Sequence, residues 1–465
     1  MSAGSKDDAT MGASLPASGR RRALAVLAGG ALTVAGCVRA GGEAVGAGAD
    51  PVLADAEGGS AAARPLERFF ARLARKSVER LGDPLVIMQI GDSHTANDAF
   101  SGRLRTLFQE QFGGGGRGLL PPGIPYRLYR PDLVTVREEG QWRTVSSFGR
   151  DSHGVFGLCG FRGEGRQAGD GLVVESQEAA GFRRVGVAVL RQPHGGRLRI
   201  LAEDSAGVPI ATFPPLATGS GQALSGGEPA WFWYRLPQPA RSLRLQAVGD
   251  GLASVLGVVV DRPGQGGVVV ENLGVIGATV ALMGRWDPAV VTADLVERQP
   301  ALILLAYGTN EGFDDHLDLK HYARMYRQHL RQLQAGAPQA ALAVLAAPDA
   351  LRPDANRAGV PAAGLGSSVL AGGHSLRPVS CSGRFAPPVH LEPIRQIQKR
   401  IAAEENAFFW DWSRSMGGPC SMQSWLAQDP PLAMEDRVHL RRAGYAKLAD
   451  AFFHHLMTAR GELGL

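Results

Sequence analysis

Two segments carry residues suited to nucleophilic chemistry: "VIMQIGDSHTAND" (86–98), with Ser93, and "DRVHLRRAGY" (436–445), with His439. Ester hydrolysis needs a nucleophile, a base to take its proton, a carboxylate to orient that base, and donors for the oxyanion. Ser93 follows an apolar run that stops abruptly. That sets it at the C-terminal end of a strand, where α/β sheets bind their ligands. His439 is the candidate base. Asp436, three residues earlier, lies within one turn of chain and can hold one imidazole tautomer. Each residue has a plainer reading when taken alone. Ser93 before a helix reads as an N-cap, His439 as a surface histidine at a helix start, and Asn310 in "GTNEG" as a turn residue. His316 and His321 are five residues apart with no closed ligand set, so no zinc site is expected, and no cofactor is called for.

The elements that must position these residues follow from hydrophobic period. "PLVIMQI" (84–90), "ALILLAYGTN" (301–310) and "ALAVLAAP" (341–348) hold short continuous apolar runs, the mark of strands buried on both faces; "AFFWDW" (407–412) adds a further short strand. Between them, apolar residues recur at helical spacing: Phe100, Leu104, Leu107, Phe108 and Phe112; Tyr322, Met325, His329, Leu330 and Leu333; Ile394, Ile397 and Ile401; and Tyr445, Leu448, Phe452 and Leu456. This alternation predicts a three-layer α/β/α domain on a parallel sheet of flavodoxin-like type. Residues 121–265 break the rhythm. They offer short alternating or β-branched runs separated by glycine and proline turns, which predicts an all-β sandwich or jelly roll inserted into the α/β domain. The expected organisation is therefore 65–120 and 266–465 for the interrupted α/β domain and 121–265 for the insertion. "GGGGRG" (113–118) follows a helix instead of leading into one, so it reads as a boundary turn and not as a phosphate loop.

Four motifs stand at the ends of these elements: "GDSH" (91–94), "NLGVIGAT" (272–279), "YGTNEG" (307–312) and "DRVHLRRAGY" (436–445). In this order and spacing they resemble the SGNH, or GDSL-type, hydrolases. The resemblance implies a catalytic Ser93, His439 and Asp436, with oxyanion donors at the backbone N–H of Ser93, the backbone N–H of Gly277 and the side-chain amide of Asn310. It implies structural parts near the site for Asp92, bracing the turn, and for His94. His94 directly after the serine, the inserted β-domain and the segment 411–440 look like periplasmic peptidoglycan O-acetylesterases, in which a carbohydrate-binding-like module interrupts the hydrolase domain. Cys420 departs from the glycine more usual after "MGGP". The implied reaction removes O-acetyl groups from a cell-envelope glycan through an acetyl-serine, without a metal. An O-acetyltransferase using the same site, a lipid esterase and a non-catalytic glycan-binding lipoprotein remain as alternatives. For the glycan-binding alternative, Trp231 and Trp233 in "WFWY" share one face of a strand and could stack on sugar rings, although period-2 aromatics are more commonly core.

Composition bounds the rest. The chain has 465 residues, a formal net charge of +5 and no lysine–arginine run beyond Arg20–Arg22, so there is no concentrated basic face for nucleic acid. "GRRRALAVLAGGALTVAGC" (19–37) places three arginines before an apolar stretch from Ala23 to Gly36. As a helix that stretch reaches only about 21 Å, short of a roughly 30 Å hydrocarbon core, which favours a signal peptide over a membrane span. Its end resembles a bacterial lipobox and implies lipid attachment at Cys37. The alternative is a plain cleaved signal, by either the general or the twin-arginine route. Residues 1–37 are thus read as an export signal and 38–64 as a flexible tether, placing the protein in the periplasm or cell envelope with a membrane contact through lipid. Export leaves Cys159, Cys381 and Cys420 in an oxidising compartment; a Cys381–Cys420 pair or three unpaired thiols are both open. Oligomeric state is not legible.

Overall fold

The computed structural model describes residues 60–78, 82–149, 152–219, 227–262, 267–354, 381 and 384–465. Cys37, the expected export signal (1–37) and the expected tether up to residue 59 lie outside them. The last residues read as tether instead form a helical turn, Ser60–Ala63, because Ala63 is buried in the core, so the chain is ordered earlier than expected. At the centre is a parallel sheet of β1 (Leu85–Gly91), β2 (Val268–Gly274), β3 (Leu302–Ala306), β4 (Ala341–Leu345) and β5 (Phe408–Trp410). The spatial order is β2-β1-β3-β4-β5, all parallel, which is the flavodoxin-like 2-1-3-4-5 arrangement.

The continuous apolar runs are explained by what each face meets. Leu85 and Ile87 of β1 join one core, and Met88 and Ile90 join another. Adjacent β3 divides the same way, Leu302 and Leu304 against Ile303 and Leu305. Five helices are named here: α1 (Ala99–Phe112), α2 (Pro288–Arg298), α3 (Leu319–Gly336), α4 (Leu391–Glu404) and α5 (Arg442–Glu462). On one face Phe100, Leu104 and Phe108 of α1 pack with Leu448, Phe452 and Leu456 of α5. On the other, Tyr322, Tyr326 and Leu330 of α3 pack with Ile394, Ile397 and Ile401 of α4. The helical spacing seen in sequence is the stripe each helix turns to the sheet.

Between β1–α1 and β2 the chain builds two antiparallel sheets. One runs Glu228–Ala240, Phe182–Arg191, Ala253–Asp261, Phe161–Gly165, Arg143–Ser146 in space. The other runs Val134–Glu139, Gly171–Ser176, Ser242–Ala247, Arg197–Glu203, Pro209–Ala217. Leu172, Val174, Val187, Ile200, Leu243, Leu245 and Val258 fill the space between them, so the insertion is a β-sandwich.

The glycine run differs from its expected role. Gly116–Leu120 is a strand, paired antiparallel with Ala253–Asp261 as part of the sandwich. A side chain at Gly115 would come within 2.8 Å of the Val268 backbone, so glycine is what lets the chain cross β2 on its way into the insertion.

The insertion is anchored to the α/β layer by buried charge. Arg298 of α2 reaches Asp261 of the sandwich at 3.2 Å and Glu271 of β2 at 2.6 Å, and all three are buried. Asp98, at the start of α1, pairs with Arg105 at 3.0 Å and with Arg117 of the sandwich at 3.1 Å. Burial opposes ionisation of Asp98, but the two guanidinium groups hold its carboxyl well below the usual range. Cys381 and Cys420 form a disulfide, and Cys159 is a buried free thiol. No helix among the described residues is long and apolar enough to cross a membrane.

Candidate active site

The site assembles where β1, β2 and β3 end. After Gly91 the chain enters a one-turn helix, Ser93–Ala96, whose first residue is the serine. Asp92 caps it by accepting the His94 N–H at 2.9 Å. Burial pushes the Asp92 carboxyl up to about 6, against that hydrogen bond. Asp92 thus caps the helical turn that opens at Ser93.

His439 comes from the segment before α5. Ser93 Oγ lies 2.8 Å from His439 Nε2, and His439 Nδ1 lies 2.7 Å from Asp436 Oδ2. The second carboxylate oxygen, Oδ1, accepts the N–H groups of Val438 and His439, each at 2.9 Å. Arg437 takes a left-handed φ of +58°, which curls the chain so that Asp436 faces the ring. Burial acts to raise the Asp436 pKa, but the two N–H groups and the imidazole outweigh it and hold the carboxyl below its ordinary value. An ionised acceptor at Nδ1 keeps the proton there and leaves Nε2 as acceptor toward Ser93.

The three expected oxyanion donors sit on the loops that follow the adjacent strands β1, β2 and β3. The N–H of Ser93 opens its helix turn, and neither it nor the N–H of Gly277 makes a hydrogen bond to another described residue. Gly277 has a φ of +76°, a conformation side chains disfavour. Asn310, in the turn Thr309–Gly312 after β3, donates one Nδ2–H to Ala278 O at 2.8 Å and keeps a second amide hydrogen. Asn310 thus grips the loop that carries Gly277.

Two further residues support the site: Glu311, which was not singled out in sequence, and His94, which was expected to be structural there. Glu311 accepts the Val280 N–H at 2.7 Å and holds the same loop from behind. Burial pushes its carboxyl up to about 7. His94 is buried, with Nδ1 2.9 Å from Tyr445 Oη and its ring 5.2 Å from that of His439. Burial lowers its pKa to about 3, so it is a neutral wall behind the base. The only sequence signal for Glu311 was its position beside Asn310.

Trp231 and Trp233 are not brought to this site, and their expected sugar-stacking role needs correction. The indoles stack on each other at 5.4 Å, and Arg184 lies 3.8 Å over Trp233. Their N–H groups bond to α2, at Asp294 Oδ1 (3.1 Å) and Glu297 Oε2 (2.8 Å). With faces and donors engaged, the pair joins the sandwich to the α/β layer and offers no free platform. Asp294 also accepts the Leu158 N–H at 3.0 Å, and burial pushes its carboxyl up to about 7.

No protein-family model matches the chain, and no curated protein sequence is significantly similar to it. Among solved structures the chain is similar to a peptidoglycan O-acetylesterase, with a TM-score of 0.65 and 25% identity, over 85% of this chain and 96% of that one. A family two carbohydrate esterase from Clostridium thermocellum (TM-score 0.28, 10% identity, 69% of this chain and 99% of that chain) and an acetyl xylan esterase (0.28, 13%, 41% and 83%) also match, at scores that carry no structural argument. A parallel sheet of flavodoxin-like order, interrupted by a β-sandwich and matched over nearly the whole of that O-acetylesterase, makes this chain an SGNH-type hydrolase of ester bonds.

Proposed function

We propose that the protein removes O-acetyl groups from a cell-envelope glycan, peptidoglycan above all, through an acetyl-serine intermediate. The observation that carries this reading is the continuous relay from Ser93 Oγ to His439 Nε2 (2.8 Å) and from His439 Nδ1 to Asp436 Oδ2 (2.7 Å). In this scheme Ser93 Oγ attacks the acetyl carbon while His439 Nε2 takes its proton. The oxyanion is received by the N–H groups of Ser93 and Gly277 and by the amide of Asn310. Collapse expels the sugar oxygen, which takes the proton from Nε2. Water then attacks the acetyl-serine and gives one proton to Nε2; collapse returns that proton to Ser93 Oγ and releases acetic acid, which ionises in solvent.

The solved O-acetylesterase with the same plan supports an acetylated glycan as substrate. The site also lies open to solvent, with the His439 side chain 34% exposed, which favours water over a sugar as acyl acceptor. The Cys381–Cys420 disulfide supports residence in an oxidising compartment, consistent with export and a lipid anchor at Cys37.

The test is acetate release from O-acetylated peptidoglycan by the purified protein. Ser93→Ala should lower the rate by at least about 10³-fold, and added sugar acceptor should leave acetate as the main product. Undiminished release by Ser93→Ala would overturn the mechanism, and faster acetyl transfer to sugar than to water would make the protein a transferase.

A further inference from the structure

Beside the oxyanion loop lies an open cavity of about 510 Å³, within the range of small-molecule sites. Its walls come from both parts of the molecule: Phe148, Ser152 and Phe156 from the sandwich, and Arg285 from the 3-10 turn Val280–Arg285 that follows Gly277. Phe148 is 48% exposed although a large apolar ring gains by burial. Two of its ring atoms lie 3.3 Å from the point where a Cβ on Gly277 would stand, so the ring leans directly on the oxyanion loop. The Phe148 N–H is fixed by Ser146 Oγ at 3.0 Å. Arg285 Nη1 donates to Ser147 O (3.2 Å), Gly149 O (3.0 Å) and Ser152 Oγ (3.2 Å), while its Nε and Nη2 bond to no described residue.

We infer that Phe148 and Arg285 form a subsite for the sugar that carries the ester, with Phe148 stacking on the pyranose ring and Arg285 pairing with a carboxylate on that sugar or its neighbour. A pyranose has an apolar C–H face and a polar rim. An exposed aromatic ring beside a cation and hydroxyl and carbonyl groups matches that chemistry. An enclosed apolar slot for an acyl chain would have no use for Arg285. The Nε–Nη2 edge, which bonds no described residue, is the planar fork that pairs with carboxylates in bidentate fashion. Phe148 touches the loop that would hold the carbonyl oxygen, so the alkoxy side of a bound ester lies within one sugar of the ring. The insertion thus serves recognition through this loop and not through Trp231 and Trp233.

The inference rests on the glycan-esterase reading above, and its test separates the two. The measurement is kcat/KM for acetate release from O-acetylated muramic-acid-containing oligosaccharides, from O-acetylated neutral chitooligosaccharides and from p-nitrophenyl acetate. Each glycan value is divided by the p-nitrophenyl acetate value of the same preparation, which cancels differences in folded fraction. Phe148→Ala should lower both glycan ratios by about tenfold or more, and Phe148→Tyr should restore them. Arg285→Gln should lower the acidic ratio about fivefold further than the neutral one, with partial recovery in Arg285→Lys. Ratios within about twofold of the parent for Phe148→Ala and Arg285→Gln would remove the subsite while leaving the esterase reading intact. A parent that cleaves p-nitrophenyl acetate but releases acetate from neither glycan would overturn the glycan reading and the subsite together.

Discussion

Replacing Asp436 by asparagine tests the relay with little disturbance of shape. Asp436 accepts three hydrogen bonds, two from backbone N–H groups through Oδ1 and one from the imidazole through Oδ2. Asparagine can keep the first two with its carbonyl oxygen, so the turn at Arg437 should persist. The amide nitrogen then replaces Oδ2 and presents N–H to Nδ1. A charge-assisted hydrogen bond contributes about 1.5–3 kcal/mol. The side chains here are 45% and 34% exposed, so the lower half of that range applies, a loss of about 10- to 50-fold. The amide also favours the tautomer with its proton on Nε2, which donates to Ser93 when it should accept. Together the two effects predict a fall in kcat/KM of about 10²–10³-fold. Asp436→Ala leaves the tautomer to solvent and should retain more activity per folded molecule than Asp436→Asn. The assay is p-nitrophenyl acetate hydrolysis from pH 5 to 9, with folding checked by circular dichroism. A folded Asp436→Asn enzyme within about threefold of the parent would refute the relay.

Three further outcomes are expected. Gly277→Ala must place a side chain at φ +76° against the Phe148 ring, a strain of about 1–2 kcal/mol. It should lower the urea midpoint modestly and, where the loop relaxes and turns its N–H away, lower kcat by up to about 30-fold; an unchanged kcat with an unchanged midpoint would contradict both the strain and the donor role. Breaking the Cys381–Cys420 bridge, whose ends are 39 residues apart, removes up to about 4 kcal/mol of chain-entropy stabilisation, so Cys381→Ser/Cys420→Ser should show a lower urea midpoint; a midpoint equal to the parent's would contradict this. Asp294 binds its proton more tightly when folded, its pKa raised from 3.8 to about 7, so its contribution is complete below pH 4 and lost as pH rises to 7. Acting alone it would lower unfolding free energy by roughly 4 kcal/mol across that window, and Asp294→Asn should flatten the slope in urea titrations; an identical slope would rule Asp294 out as its source.

Much of this molecule was legible in its amino-acid order because the signals are local. A strand buried on both faces is apolar at nearly every position, Gln89 being buried with its amide bonded to Thr95 Oγ1, so Leu85–Ile90 and Leu302–Leu305 stood out against their surroundings. Amphipathic helices display their inward stripe, and catalytic turns begin where an apolar run meets glycine, aspartate or asparagine. The same locality explains the failures. Trp231 and Trp233 show the period of a strand face, but nothing nearby says that α2 covers that face. The glycines at 113–118 announce a departure from helix without revealing that Gly116–Leu120 finds its partner at Val258–Asp261. Phe148 and Arg285 belong to no motif, and Glu311 and Tyr445 stand inside motifs that assign them no role; what each does depends on what folding sets beside it.

The sequence alone thus determined the layers, the insertion and the types of group available for ester chemistry, since each depends on neighbours along the chain. Only the tertiary structure decided that a serine and a histidine 346 residues apart share a proton path, and that a ring from the sandwich leans on the loop of Gly277. Hydrogen bonds and contacts act over a few ångströms in space, and distance along the chain does not set them.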